Sequence, residues 1–178
     1  MELHGGRVVL RPVVPADVVE LARILATPDV ARWWPAYDLE RTTTEFLSAD
    51  PDEVIYAITA EGPLIGAIVT HEEPDPEFRH ASVDLFLDPA VQGRGLGPDA
   101  IRTVLRRLVD VDGHHRVTID PAADNERAIR AYEKVGFRHV GRLRRYQRHP
   151  DGNWHDGLLM EVLAEEIVAS PSLDEGGG

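Results

Sequence analysis

The sequence predicts a single-domain α/β protein in which a mixed, mostly antiparallel sheet is flanked by about four helices. Segments of β-strand character alternate with segments of helical periodicity along the chain. The length of 178 residues, with 43% hydrophobic and 28% charged residues, suits one domain that buries its own core. The alternation is clearest in residues 83–108, where a short apolar strand, a glycine-rich turn and an amphipathic helix follow one another.

The N-terminal part predicts one strand and two helices. Residues 7–12 alternate apolar and basic side chains, which is typical of a strand. A helix follows at once, because proline and aspartate suit a first turn and apolar residues then recur at helical spacing. Three large aromatic residues beside a helix-breaking proline predict a loop before a second helix at about residues 39–49. These aromatic residues are Trp33, Trp34 and Tyr37.

The middle of the chain predicts a β-hairpin, which is followed by the strand and helix of residues 83–108. Residues 54–60 and 64–71 are rich in β-forming residues and are joined by Glu61-Gly62-Pro63. An acidic, proline-broken loop covers residues 72–80. Residues 83–87 are too few and too apolar for anything but a strand, and apolar residues recur at helical spacing up to Leu108.

The C-terminal part predicts a strand at residues 116–120, a helix at about residues 126–135 and a final hairpin. Gly136 is expected at the end of that helix, where a left-handed residue is common. The hairpin pairs residues 137–148 with residues 155–163. The domain is expected to span residues 1–168, and residues 169–178, rich in glycine, serine and acidic side chains, are expected to form a disordered tail.

Composition narrows the function classes. With no cysteine, the chain has no disulfide, thiolate zinc site or cysteine nucleophile, and we expect no metal. Nineteen basic and 31 acidic residues give a net charge of −12, which argues against nucleic acid and for a cationic partner. No run is long enough for a membrane span, and the N-terminus lacks the pattern of a signal peptide, so we expect a cytoplasmic protein.

The glycine-rich turn predicts a binding site for an anion such as a pyrophosphate. Gly93, Gly95 and Gly97 lack a Cβ, so backbone N–H groups can point into the space ahead of the helix, where the dipole also favours an anion. The segment lacks the Gly-Lys-Ser/Thr ending of a Walker loop and the third glycine of a dinucleotide fingerprint. A strand-to-helix turn without a ligand remains the alternative on these residues alone.

A second motif lies on the next predicted helix. Asn125, Ala128 and Tyr132 recur at steps of three or four, so they share one helix face, and Gly136-Phe137 follow. Both helices begin directly after a strand, so both N-termini are expected to open on the same edge of the sheet.

Together the two motifs resemble the GNAT superfamily of N-acyltransferases, and the resemblance covers roughly residues 7–163. It implies that acetyl-CoA is the co-substrate and that the sheet is splayed at its site, after Leu85 to Leu87. Pantetheine would then bond to the open strand edge. The implied cofactor-binding residues are Leu85, Phe86, Leu87, Gln92, Gly93, Arg94, Gly95, Leu96, Gly97, Asn125, Ala128 and Tyr132.

The resemblance also implies the chemistry. When an amine attacks a thioester, a strand N–H near Leu85 or Phe86 would stabilise the oxyanion, and the leaving thiolate needs a proton. Tyr132 resembles the family's general acid, and its alternative role is a core tyrosine whose hydroxyl bonds a neighbour. Asp84 and Asp120 are the carboxylates nearest the expected splay and could bind the ammonium or accept its proton. The alternatives are a turn residue for Asp120 and an outward-facing strand position for Asp84.

Within the superfamily the chain looks most like the aminoglycoside 6′-N-acetyltransferases. That likeness assigns Asp84 and Asp120 to the acceptor amine and Trp33 or Trp34 to the wall of its site, where Tyr37 is a further candidate substrate-binding residue. Pro98, Asp99 and an arginine-rich hairpin depart from the pattern. Two other functions stay open: a protein or peptide amine acetyltransferase, for which the arginines could face an acidic peptide, and a non-catalytic acyl-CoA-binding module. We expect a monomer or a homodimer.

Overall fold

The computed structural model describes residues 1–48 and 50–167, and they form one eight-stranded sheet with helices on both faces. The predicted α/β class and the mixed, mostly antiparallel sheet are confirmed. All neighbouring strands are antiparallel except β5 and β6, and the strand order is β1-β2-β3-β4-β5-β6-β8-β7. The strands are β1 Leu3–His4, β2 Val9–Pro12, β3 Glu53–Thr59, β4 Leu64–Glu73, β5 His80–Leu87, β6 Arg116–Ile119, β7 Arg138–Arg148 and β8 Trp154–Leu163.

Four helices of eight or more residues are found among the described residues, in agreement with the expected number. They are α1 Val18–Leu25, α3 Leu39–Phe46, α4 Leu96–Arg106 and α5 Glu126–Val135. Two further helices have four residues each, α2 Pro28–Ala31 and α6 Ala164–Ile167. No helix in the described ranges is both long and apolar enough to cross a bilayer.

The differences from the predicted elements are small. Strand β1 and helix α2 were not predicted, because two and four residues are too short for a periodic signal. The expected strand at residues 7–12 begins only at Val9, and α3 ends at Phe46. Helix α4 gives way to a π-helical turn at Arg107. Ala49 and the predicted disordered tail lie outside the described residues.

The sheet separates two hydrophobic cores, and β5 contributes to both. Val83 packs into the larger core, which also holds the buried faces of α4 and α5. Phe86 packs into the smaller core with residues of α1 and α3. Because side chains alternate along a strand, Asp84 shares the face of Phe86 and is directed to the side of the smaller core.

The sheet opens between β5 and β6. These parallel strands pair only at Ala81 with Val117 and at Ser82 with Thr118, so residues 83–87 leave one edge unpaired. The opening begins earlier than the predicted splay after Leu85 to Leu87. It does so because the chain beyond β6 stays with β8, where the Leu158 N–H donates to the Pro121 carbonyl at 2.8 Å.

Candidate active site

A pocket of about 390 Å³ lies where β5 and β6 diverge. The end of β5, the N-terminus of α4, one face of α5 and the aromatic loop after α2 surround it. Most residues predicted from the sequence line this pocket: Trp33, Trp34, Leu85, Phe86, Leu87, Gln92, Gly93, Gly95, Leu96, Gly97, Asn125, Ala128 and Tyr132. Arg94, Tyr37, Asp84 and Asp120 are not among its lining residues.

The glycine loop has the backbone that an anion site requires. Gly93 and Gly95 have φ values of +78° and +81°, in the left-handed region that favours glycine. Gly95 is the N-cap of α4, whose eleven residues align their peptide dipoles toward the pocket. A Cβ at Gly95 would meet only the Arg7 guanidinium, at 3.9 Å, so the space ahead of the loop is open. The first amides of α4 are therefore available to an anion.

Gln92 and Arg127 connect the two motifs. The Gln92 side-chain amide donates to the Leu87 carbonyl at 2.8 Å and accepts a hydrogen bond from Arg127. Arg127, Arg130 and Lys134 line the pocket, so its rim is cationic in a chain of net charge −12. Arg127 was not predicted as a site residue, because no spacing rule marks a solvent-facing arginine on a helix.

Asp99 faces away from the glycine loop. Its carboxylate accepts backbone N–H groups from Gly6 at 3.2 Å, Arg7 at 2.7 Å and Val8 at 3.1 Å. The Arg7 guanidinium then donates to the Arg94 carbonyl at 2.5 Å. Asp99, which departs from the family pattern, thus anchors the N-terminal segment, and that segment in turn holds the loop.

Helix α5 places Tyr132 beside the pocket. Asn125 caps the helix by accepting the Ala128 N–H at 3.2 Å, and Gly136 ends it with a φ of +120°. Tyr132 is only 7% exposed, and its ring packs against Phe137 with a centroid distance of 6.3 Å. Burial, followed by the charges of Asp84 and Asp120, raises the pKa of the Tyr132 phenol. The phenol therefore stays protonated at neutral pH, the state that a proton donor needs.

Asp84 lies on the part of β5 that is not paired with β6. Water reaches the side chain, yet protein atoms surround it closely. Loss of solvation, followed by the neighbouring Asp120 carboxylate, raises the pKa of Asp84 to about 7. The Leu85 N–H donates to Asp84 Oδ1 at 2.9 Å and opposes part of that rise. Asp84 can thus change its protonation state near neutral pH.

Asp120 follows β6, across the opening from Asp84. Burial raises the pKa of the Asp120 carboxyl, and the hydroxyl of Tyr146 opposes that rise. The same contact raises the pKa of Tyr146 to about 12. Tyr146 was missed in the sequence, although the isolated glycine in β8, Gly157, is a signal of close backbone approach that could have pointed to it.

The aromatic residues form a wall on the β5 side. The Trp34 ring meets Phe86 edge-on at 5.0 Å, and the Trp33 ring meets His149 edge-on at 6.2 Å. His149 belongs to the turn between β7 and β8, so the tip of the arginine-rich hairpin reaches this wall. Tyr37 instead directs its hydroxyl to Glu45, and burial raises its pKa. It stands behind the wall, against Trp34 at 6.4 Å.

The residues available for a metal are limited. Within the described ranges no group of three or more histidine or carboxylate side chains is arranged to hold a metal ion.

Comparison with known sequences identifies the family. The profile of the acetyltransferase (GNAT) domain matches residues 7–138. The N-alpha-acetyltransferase RimI of Mycobacterium tuberculosis is 35% identical over 101 residues, which are 56% of this chain and 61% of that protein. Aminoglycoside N(6′)-acetyltransferase type 1 of Klebsiella pneumoniae is 27% identical over 164 residues, covering 82% of this chain and 79% of that protein. An uncharacterized protein of Mycobacterium leprae is 30% identical, and the match spans 37% of its length.

Solved structures of acetyltransferases have a fold similar to that of this chain. AAC(6′)-Ib in complex with paromomycin and acetyl-CoA has a TM-score of 0.78 and 24% identity, covering 94% of this chain and 99% of that one. Spermidine N-acetyltransferase from Vibrio cholerae, in complex with CoA and spermine, has a TM-score of 0.78 and 21% identity, covering 91% and 98%. The profile match covers most of the chain and includes the whole glycine loop and the whole α5 motif, so the chain belongs to the GNAT family of acetyltransferases.

Proposed function

We propose that the protein is an acetyl-CoA-dependent N-acetyltransferase that acetylates a primary amine of a small cationic acceptor, with the 6′-amine of an aminoglycoside as the first candidate. One observation carries the proposal. Two carboxylates with raised pKa values, Asp84 and Asp120, and a buried neutral phenol, Tyr132, converge at a strand edge that opens beside an anion-binding loop.

Acyl-CoA fits the shape and charge of the opening. Its pyrophosphate would occupy the space ahead of Gly93 and Gly95, near the cationic side chain of Arg127. Its pantetheine arm would bond to the unpaired edge of residues 83–87 as an additional strand would. The thioester would then lie between β5 and Tyr132. Two solved relatives of the same fold hold CoA or acetyl-CoA.

The residues around the thioester supply the proton transfers. The amine nitrogen forms a bond to the acetyl carbon, and the bond from that carbon to sulfur breaks. Tyr132, whose phenol is neutral near pH 7, donates its proton to the leaving thiolate. The nitrogen loses a proton to Asp84 or Asp120, directly or through water. A carboxylate with a pKa of about 7, as at Asp84, is well matched to that step near neutral pH.

The acceptor site favours a cation bounded by an aromatic surface. Asp84 and Asp120 provide negative charge on both sides of the opening, and the indole of Trp34 lies on the face of β5 that carries Asp84. The chain as a whole carries a net charge of −12. The acceptors named for its relatives, aminoglycosides and spermine, carry several ammonium groups, which long-range attraction would favour.

A peptide amine is the second candidate, and the hairpin favours it. Arg144, Arg145 and Arg148 are exposed on the edge strand β7, and the hairpin tip contacts Trp33 through His149. An extended peptide with acidic residues could follow this edge toward the opening. The N-alpha-acetyltransferase of M. tuberculosis, at 35% identity, is the relative that supports this alternative.

Release of free CoA thiol from acetyl-CoA, measured over a panel of acceptors, tests the proposal. The panel contains aminoglycosides, spermidine and spermine, and peptides with free N-termini. We expect an aminoglycoside or polyamine to give the highest kcat/KM. A peptide as the best substrate would establish the second candidate. If acetyl-CoA stabilises the protein but no amine is acetylated, the chain is an acyl-CoA-binding module instead.

A further inference from the structure

We propose that Tyr146, held over Gly157 by a wide bulge in β7, is a positioning residue of the acceptor site that orients the Asp120 carboxylate toward the amine. This inference rests on the proposed function and adds a residue to it. The hairpin that the family resemblance left unexplained would thus take part in recognising the acceptor.

The bulge is unusually wide. Leu143 pairs with Gly157 and Gln147 pairs with His155, so three residues of β7 face the single residue Asp156 of β8. Within the bulge Arg145 has a φ of +48°, a left-handed conformation that is unfavourable for a residue with a Cβ. Such conformations persist only where surrounding contacts enforce them, and they concentrate at functional sites.

Asp156 enforces the bulge. One of its carboxylate oxygens accepts the Arg145 backbone N–H at 2.7 Å, and the other accepts the Arg142 guanidinium at 2.6 Å. The carboxylate therefore satisfies the amide that the bulge removes from the ladder. Because Arg145 turns out of the strand, the next side chain, Tyr146, is directed back across β8.

Gly157 lets the Tyr146 ring lie directly on the backbone. A Cβ at Gly157 would stand only 2.9 Å from Cδ1 of the ring and 3.5 Å from Cγ. The other edge of Gly157 bridges to Ala122, two residues beyond Asp120. The ring is thereby fixed to the segment that carries Asp120. Tyr146 is nevertheless 49% exposed, which is too open for a residue whose only role is core packing.

The groups that face Asp120 come from three elements. Tyr146 approaches it from β7, Asp84 lies across the opening on β5, and Tyr132 lies on α5. Among these groups only Tyr146 lowers the pKa of Asp120, because its hydroxyl donates to the charged form. A hydrogen bond from the Tyr146 hydroxyl to one carboxylate oxygen would fix the side chain and leave the other oxygen for the ammonium. The Tyr146 hydroxyl would thus orient Asp120 and oppose part of the rise in its pKa that burial causes.

Kinetics of Tyr146→Phe test the role in the acceptor site. We expect the KM of the best cationic acceptor to rise about 5- to 30-fold, the loss of one hydrogen bond to a charged group at a partly exposed site. The KM of acetyl-CoA should stay within about twofold. The acidic limb of the kcat/KM profile should move to higher pH, because Asp120 loses the donor that lowers its pKa.

Two glycine variants provide a matched pair. Gly157→Ala should reproduce the acceptor defect, because its methyl group collides with the Tyr146 ring. Gly141→Ala, on β7 of the same hairpin, should not, because a Cβ there meets no atom within 4 Å. Equal acceptor KM values in wild type, Tyr146→Phe and Gly157→Ala would overturn the proposal, as would an equal defect in Gly141→Ala.

A measurement without acceptor separates this inference from the proposed function. In protein labelled with ¹³C at the aspartate carboxyls, the signal assigned to Asp120 through Asp120→Asn should titrate at higher pH in Tyr146→Phe than in wild type. An unchanged Asp120 pKa overturns the role of Tyr146 even if the acceptor is confirmed. A raised Asp120 pKa in a protein that acetylates no amine would contradict the proposed function alone.

Discussion

The Asp99 carboxylate accepts the backbone N–H of Arg7 at 2.7 Å, across 92 residues of sequence. Gly6 and Val8 donate to the same carboxylate, and the Arg7 side chain continues to the Arg94 carbonyl in the glycine loop. A residue in the first turn of α4 thus organises the segment before β2. This contact explains both why β2 starts late and why an acidic residue is compatible with an anion site.

Replacing Asp99 by alanine should lower the free energy of unfolding by about 1 to 3 kcal/mol, since three amides lose a charged acceptor at a partly exposed site. Chemical denaturation measures the change. Asp110→Ala, which removes an equal charge from an exposed position, should change stability by less than about 0.5 kcal/mol. Equal stability of Asp99→Ala and wild type would show that the contact contributes nothing.

Gly95→Val should abolish the thermal stabilisation by acetyl-CoA. Valine at a φ of +81° strains the loop, and its branched side chain occupies the space in front of the amides. The control is Gly113→Val, because Gly113 has a similar φ of +73° and lies outside the pocket lining. Both variants should lose stability without ligand, but only Gly113→Val should still be stabilised by acetyl-CoA. Retained stabilisation in Gly95→Val would exclude the loop as the pyrophosphate site.

Tyr132→Phe should reduce kcat by about one to four decades and leave acetyl-CoA binding nearly unchanged, because only the transferable proton is removed. Tyr56→Phe is the matched control, since Tyr56 is 8% exposed, like Tyr132 at 7%, and lies outside the pocket lining. Turnover should be unchanged in Tyr56→Phe. If Tyr132→Phe also turned over normally, Tyr132 would be a core residue only.

Asp120→Asn keeps the shape of the acceptor site and removes its charge. For a multiply charged acceptor, kcat/KM should fall by an amount that corresponds to a loss of about 2 to 5 kcal/mol in transition-state binding. Loss of a charge at the rim of the site would lower kcat/KM far less. A higher salt concentration should weaken the binding of this acceptor more than the binding of a singly charged peptide amine. Asp110→Asn controls for the change in net charge. A peptide that is the better substrate, with no effect of charge or salt, would favour the peptide acetyltransferase.

Asp84→Asn should stabilise the protein at pH 8 and have little effect at pH 4. The folded-state pKa of Asp84 is about 7, whereas an unfolded aspartate titrates near about 3.9. Between these values the folded state holds a proton that the unfolded state has lost, so the stability from this group declines as pH rises through that window. Asparagine does not titrate, so the Asp84→Asn protein should lack this decline in stability. Melting temperatures of wild type and Asp84→Asn from pH 4 to pH 8 would test this difference, and parallel curves would contradict the raised pKa of Asp84.

The sequence predicted the elements that carry periodic signals and the site residues that belong to local motifs. The glycine loop, the face of α5 and the strand at β5 were all readable, because their spacing reflects turn chemistry or helix geometry. Asp84 and Asp120 were found because each lies at the expected opening, although neither lines the pocket itself. Tyr37 was grouped with the indoles by proximity in sequence, but its hydroxyl is directed to Glu45.

The contacts that were missed all join distant parts of the chain. Arg7 reaches the glycine loop through Asp99, and Arg127 reaches Gln92 across 35 residues. Tyr146 depends on a bulge whose position is set by side chains on the facing strand. No local pattern encodes such contacts, since they exist only after the sheet has brought its strands together. Periodic patterns therefore predicted where unpaired backbone groups lie, whereas tertiary packing determines which side chains surround those groups.

The hydrogen bond from the Leu85 N–H to Asp84 Oδ1 links occupation of the opening to the state of the base. If Leu85 rather than Phe86 supplies the amide that receives the thioester oxygen, the arriving cofactor must take that N–H from Asp84. The carboxylate then loses the one contact that lowers its pKa and becomes a stronger base. Cofactor binding near neutral pH would draw a proton from solution. Acetyl-CoA binding and the pH at which Asp84 titrates would therefore be coupled through this single amide.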